Sequence, residues 1–118
     1  MKKNLLLIYS EQLAVEIETL CKSLTSVKEA KNTLFQIRKS SSSVFANVTE
    51  AQYPQSLPDM LSKLKIARKE CAETESWLKL LFESKYITEI IYKKERNLCG
   101  RIRKLLTSSC ITIENKIK

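Results

Sequence analysis

The stretch VKEAKNTLFQIRKSSSSVFANVTEA, Val27 to Ala51, decides the fold. Within it Val27, Ala30, Leu34, Ile37, Ser41, Val44, Val48 and Ala51 keep a repeat of about 3.5 residues, which puts their side chains along one seam of a helix. Taken alone, Ser40 to Ser43 reads as a flexible linker. The unbroken period on both sides of that run places it inside the helix instead. Small side chains there predict a close crossing with a neighbouring helix.

Working outward, Leu6, Leu13, Ile17, Leu20 and Leu24 recur at helical spacing on the N-terminal side, with Glu11, Glu16, Glu18 and Lys22 between them. Leu24-Thr25-Ser26 closes this first helix, and Ser26 is expected to cap the second, with Glu29 completing a capping box. On the C-terminal side, Tyr53-Pro54-Gln55-Ser56-Leu57-Pro58 is a loop, because two prolines remove backbone donors and bias their predecessors away from helix. Ser56 caps a third helix, with Pro58 in its first turn and Asp59 near the positive end of its dipole. Leu57, Met60, Leu64, Ala67, Cys71, Thr74, Leu78 and Leu81 form its seam.

The fourth helix starts after Lys85-Tyr86 with Thr88 as cap and follows Ile87, Ile91, Leu98, Ile102, Leu105 and Ile113. Its β-branched end, Ile111-Thr112-Ile113, is expected to fray, while Gly100 weakens the helix without ending it. Four amphipathic helices with short connections specify an all-α, antiparallel up-down-up-down four-helix bundle, expected as a single domain over 1–118. No longer repeat rises above the shared seam, which argues against a solenoid.

Composition excludes most catalysis. The chain has no histidine and one glycine, so Ser/His and Cys/His dyads, His-ligated metals and Gly-rich phosphate loops are all missing. Cys21, Cys71, Cys99 and Cys110 form no C-x-x-C pair and read as buried thiols. No cofactor and no metal are implied. Glu73 and Glu75 lie two apart on a helix, point away from one another and cannot share a substrate. Glu11 interrupts the apolar opening MKKNLLLIYS, so a signal peptide is not expected and a cytoplasmic location is. No uncharged stretch approaches membrane-spanning length, and the apolar faces are needed for the core, which argues against a membrane-surface role.

Charge is uneven. Lys and Arg number 21 against 13 acidic residues, a net charge of +8, and most of the excess lies after Tyr86. There Lys93, Lys94, Arg96, Arg101, Arg103 and Lys104 spread over the arc opposite Ile91, Leu98, Ile102 and Leu105. Such a face either keeps a helix solvated or tracks phosphates and releases counterions. Tyr9, Tyr53, Tyr86 and Tyr92 are scattered, so a stacking platform for single strands is not indicated, and structured RNA or duplex is the expected nucleic-acid class. Arg38 and Glu75, each one residue past a seam position, are expected to pair between helices and fix the register, with Glu50 a second acidic partner. Trp77 belongs either to a bundle edge or to a subunit contact.

The run Gln36-Ile37-Arg38-Lys39-Ser40-Ser41-Ser42-Ser43-Val44-Phe45-Ala46-Asn47-Val48-Thr49-Glu50-Ala51, with Ala67 and Ala72-Glu73-Thr74-Glu75 downstream, resembles the bacterial four-helix-bundle proteins encoded in 23S rRNA intervening sequences. These carry a ribosomal-protein-like label. Leu7-Ile8-Tyr9 and Leu13-Ala14 fit the same pattern more loosely. Phe45 stands where the family has proline, Ala51 where it has glycine and Gln12 where it has a small residue, so helix 2 is expected to end straighter and longer.

The resemblance implies a non-enzymatic bundle that assembles into a ring-like homo-oligomer, a pentamer, with a nucleic-acid role. Similar bundles serve as reverse-transcriptase accessory proteins. It also implies structural, inter-helix roles for Arg38, Asn47, Glu50 and Glu75. Two functions follow as expectations: binding of structured RNA or another polyanion through the helix 4 face, or a protein-interaction scaffold or adaptor whose charge only solubilises it.

Overall fold

The computed structural model describes residues 4–118; Lys2 and Lys3 of the opening run lie outside the described residues. Four helices follow in order, α1 Leu5–Ser23, α2 Lys31–Ala51, α3 Leu57–Glu83 and α4 Glu89–Ile117, with a single 3-10 turn at Lys28–Ala30. Helix α1 packs on α2 and α4, and α3 packs on α2 and α4. The pairs are antiparallel, since partners run in opposite order. Asn4 meets Gln52 and Glu18 meets Arg38 between α1 and α2, whereas Ser40 meets Thr74 and Glu50 meets Lys63 between α2 and α3.

The seams predict the middle of the core closely but not their ends: Val27 and Met60 are half-buried and Leu57 is 40% exposed. Ala30, Leu34, Ile37, Ser41, Val44, Val48 and Ala51 are all buried, as are Leu64, Ala67, Cys71, Thr74, Leu78 and Leu81. Burying each Leu or Ile contributes roughly 1.5–3 kcal/mol. The serine run lies within α2, and α2 continues unbroken through Phe45 to Ala51. At the predicted crossing the Ser40 and Thr74 hydroxyls are 2.8 Å apart and buried. All four cysteines are buried, and burial pushes the Cys21 thiol up to about 11. No described helix is long and apolar enough to cross a membrane.

Several details differ from expectation. Ser26 caps nothing: buried Ala30 draws the chain into the 3-10 turn, and α2 starts without any side-chain cap. In α4 the core between Ile102 and Ile113 is carried by Leu106 and Cys110, with Leu105 only half-buried, because spacings of four hold the stripe on the core better than spacings of three. Helix α4 passes through Gly100 as expected and extends through Ile111-Thr112-Ile113 to Ile117. Ser56 and Thr88 do cap α3 and α4, accepting from the Asp59 and Ile91 amides. The turn after α3 is a Schellman motif in which the Tyr86 amide donates to Leu81 O and the Lys85 amide to Phe82 O. Lys85 there has φ 65°, the left-handed conformation usually given to glycine.

Candidate nucleic-acid interface

The six cations expected on α4 fall into two groups. Lys93 Nζ lies 2.8 Å from Glu89 one turn earlier, and Lys94 Nζ lies 3.5 Å from Glu16 on α1. Arg103 makes a two-pronged bond, Nε and Nη2 each donating over 3.0 Å to the Glu75 carboxylate on α3. Arg96, Arg101 and Lys104 are exposed, and no ion pair among the described residues engages them. The Arg96 guanidinium sits 5.2 Å over the Tyr92 ring, which stacks on Phe82 with ring centroids 4.7 Å apart. That contact holds Arg96 in place without neutralising it.

From Arg96 to Ile113 α4 carries no acidic residue. Lys93 and Lys104 are eleven residues apart, so this surface runs along the axis for about 16 Å. The Lys93–Glu89 pair has both side chains more than half exposed and is readily exchanged for an external anion. Arg103 differs. Its fork matches a half-sheltered carboxylate, which makes it a strut between α3 and α4. Gly100 lies on the outer side of α4, where an added Cβ would meet only the Arg103 side chain, at 3.9 Å.

The expected Arg38–Glu75 pair does not form. Arg38 donates from Nε and Nη2 to Glu18 on α1, at 3.0 and 2.7 Å, while Glu75 takes Arg103. One residue past the seam turns a side chain by about 100°. On α2 that rotation faces α1, and on α3 it faces α4, so Arg38 and Glu75 look away from the α2–α3 contact. Glu50 does bridge helices, but to Lys63 on α3 at 3.5 Å rather than to Arg38. Asn47 is not an inter-helix residue: its amide donates to the carbonyl and hydroxyl of Ser43 on its own helix. Trp77 is half-buried against the core at the α2–α3 edge, beside Gln36, Lys39 and Glu70.

Glu95 was not anticipated, although it sits at a seam position between Ile91 and Leu98. It is 4% exposed on the α1–α4 contact and faces Glu16. Burial, then the hydrogen bond to Glu16 and repulsion from its charge, push the Glu95 carboxyl up to about 8. Burial also pulls Glu16 upward, but the bonds with Glu95 and Gln12 and the nearby Lys94 outweigh it and hold Glu16 below the usual carboxylate range. Neither Oε1 has a hydrogen-bond partner within the usual geometry, although Lys94 Nζ lies 3.5 Å from Glu16 Oε1.

Among the described residues no cluster of side chains could hold a metal ion. Comparison with known proteins gives a consistent picture. A crystal structure of a protein of unknown function from the S23 ribosomal protein family of Bacteroides thetaiotaomicron superposes with a TM-score of 0.85 at 39% identity, covering 89% of this chain and 97% of that one. No curated protein matches the chain. The family model described as 23S rRNA-intervening sequence protein matches residues 3–108. The chain belongs to the 23S rRNA-intervening sequence protein family.

Proposed function

We propose that this protein is a non-enzymatic bundle that binds structured RNA or duplex nucleic acid through the outer face of α4. The observation that carries this reading is the acid-free run from Arg96 to Ile113, with Arg96, Arg101 and Lys104 exposed and without carboxylate partners. Rigidly spaced cations of this kind displace condensed counterions from a polyanion. Lys93 and Lys94 add to the surface when phosphate replaces Glu89 and Glu16. Arg103 stays with Glu75. The absence of histidine supports a binding rather than a catalytic role.

We further infer a single domain acting in the cytoplasm as a ring-like homo-oligomer, a pentamer. Leu5, Ile8 and Val15 favour self-assembly, since they expose apolar surface along the outer side of α1. Sedimentation tests it: a monomer at micromolar concentration rejects the ring. The binding test is a salt series with nuclease-treated protein on an RNA hairpin and a DNA duplex. The variant R96A/R101A/K104A should reduce the slope of log affinity against log salt by about 2.7 on duplex, one phosphate lost per cation.

A second reading, a protein-interaction scaffold or adaptor, is favoured by the apolar cleft of about 620 Å³ between α3 and the end of α4, where Pro58, Leu61, Ile66 and Ile117 come together. Absence of nucleic-acid binding at low salt would select it.

A further inference from the structure

The end of the bundle where α1 turns into α2 carries a cleft of about 450 Å³, lined by Thr25, Lys28, Lys31, Leu34, Phe35 and Arg38. Leu34 is buried and forms its floor, but Phe35 is 61% exposed. A phenylalanine this open gains little from folding. On α2, Lys31 precedes Phe35 by four residues and Arg38 and Lys39 follow it by three and four, so the ring sits in a ridge of cations. Glu18 takes up Arg38 and fixes its guanidinium at one wall. Lys28 and Lys31 are exposed and, among the described residues, engaged by no ion pair. Glu29, beside Lys28 in the chain, does not line the cleft.

The ligand that matches this lining has a flat π-face and an anion a short distance from it. A purely acidic peptide segment would satisfy the lysines and leave Phe35 uncovered. A duplex would present phosphates but keep its bases stacked inside. An unpaired nucleotide offers both groups, and the cleft falls in the size range of small-ligand sites. We propose that this cleft binds one unpaired nucleotide of a single-stranded segment, its base stacked on Phe35 and its phosphate between Lys28 and Lys31. The site lies where α1 turns into α2 and stands or falls independently of the α4 surface. It also gives the protein a stacking position that the scattered tyrosines do not provide.

The test uses the full chain and a fluorescent octa-uridylate. Phe35 is exposed, so F35A should fold as the wild type does, with its circular dichroism as the check. F35A should weaken octa-uridylate binding about 5-fold or more, while F35W retains it and hairpin binding by F35A is unchanged. K28A/K31A should reduce the slope of log affinity against log salt by about 0.7, the value for the one single-strand phosphate they share. In an amide NMR titration with uridine monophosphate, the shifts should gather between Thr25 and Arg38. Unchanged affinity in F35A, shifts gathered on α4, or a poly-glutamate peptide binding wild type and F35A equally at this cleft would each overturn the proposal.

Discussion

Glu95 of α4 and Glu16 of α1 face one another across the α1–α4 contact, beside Lys94 and Gln12. The Glu95 carboxyl is raised to about 8 in the fold, so its contribution to stability is full below about 4.5 and is lost as pH rises through about 8. Glu16, held low, acts in the opposite sense and only as pH falls below 4.5. E95Q keeps the hydrogen bond without the charge. We expect it to melt higher than wild type above pH 7, by roughly 2 kcal/mol in unfolding free energy, and to flatten the profile between pH 5 and 8. Thermal melts across that range check this; parallel profiles for the two proteins would show that Glu95 ionises freely.

Lys85 supplies a second test. Its positive φ is demanded by the two Schellman bonds that end α3, and a side chain there crowds the backbone. K85G should stabilise the protein by about 1 kcal/mol, partly offset by the greater freedom of glycine in the unfolded chain. Urea denaturation should move the midpoint upward with an unchanged slope.

Double-mutant cycles separate the observed ion pairs from the expected one. Arg38 with Glu18, and Arg103 with Glu75, should each show a coupling of about 0.5–1 kcal/mol, small because the arginine side chains are 41% and 47% exposed. Arg38 with Glu75 should show none. A measurable coupling there would place α2 and α3 in a different rotational setting.

At the α2–α3 crossing, T74V should cost about 1 kcal/mol, because the buried Ser40 hydroxyl loses its cross-helix partner and keeps only the Ile37 carbonyl. S40A/T74V removes both groups and should recover most of that loss. Chemical denaturation of the two variants beside wild type decides the matter.

These outcomes bear on what a sequence makes legible. The core of α2 and α3 was readable because burial repeats with the helix, and Ser41, Cys71 and Thr74 take their places in the stripe whatever their chemistry. Caps with a local signature, Ser56 and Thr88, were readable for the same reason. The partners of Arg38 and Glu75 were not. A seam says that a side chain lies beside a contact, but which neighbouring helix it faces depends on the hand in which the helices are arranged around the axis. Glu95 stands at seam spacing, but the seam alone does not mark it, because a carboxylate is not expected among Ile91, Leu98 and Ile102. The α4 surface was readable as charge, while its division into paired and unpaired cations needed the positions of Glu16 and Glu75 on other helices.

The Ser40–Thr74 contact has one further effect. Apolar attraction has no direction of its own, whereas a hydrogen bond fixes the positions of two atoms. The two hydroxyls meet at one setting alone; after slippage each would fall back on the carbonyl of its own helix, Ile37 O for Ser40 and Glu70 O for Thr74, and the cross-helix bond would be lost. Together with the Glu50–Lys63 bridge farther along the same contact, the buried hydroxyl pair indexes two long helices.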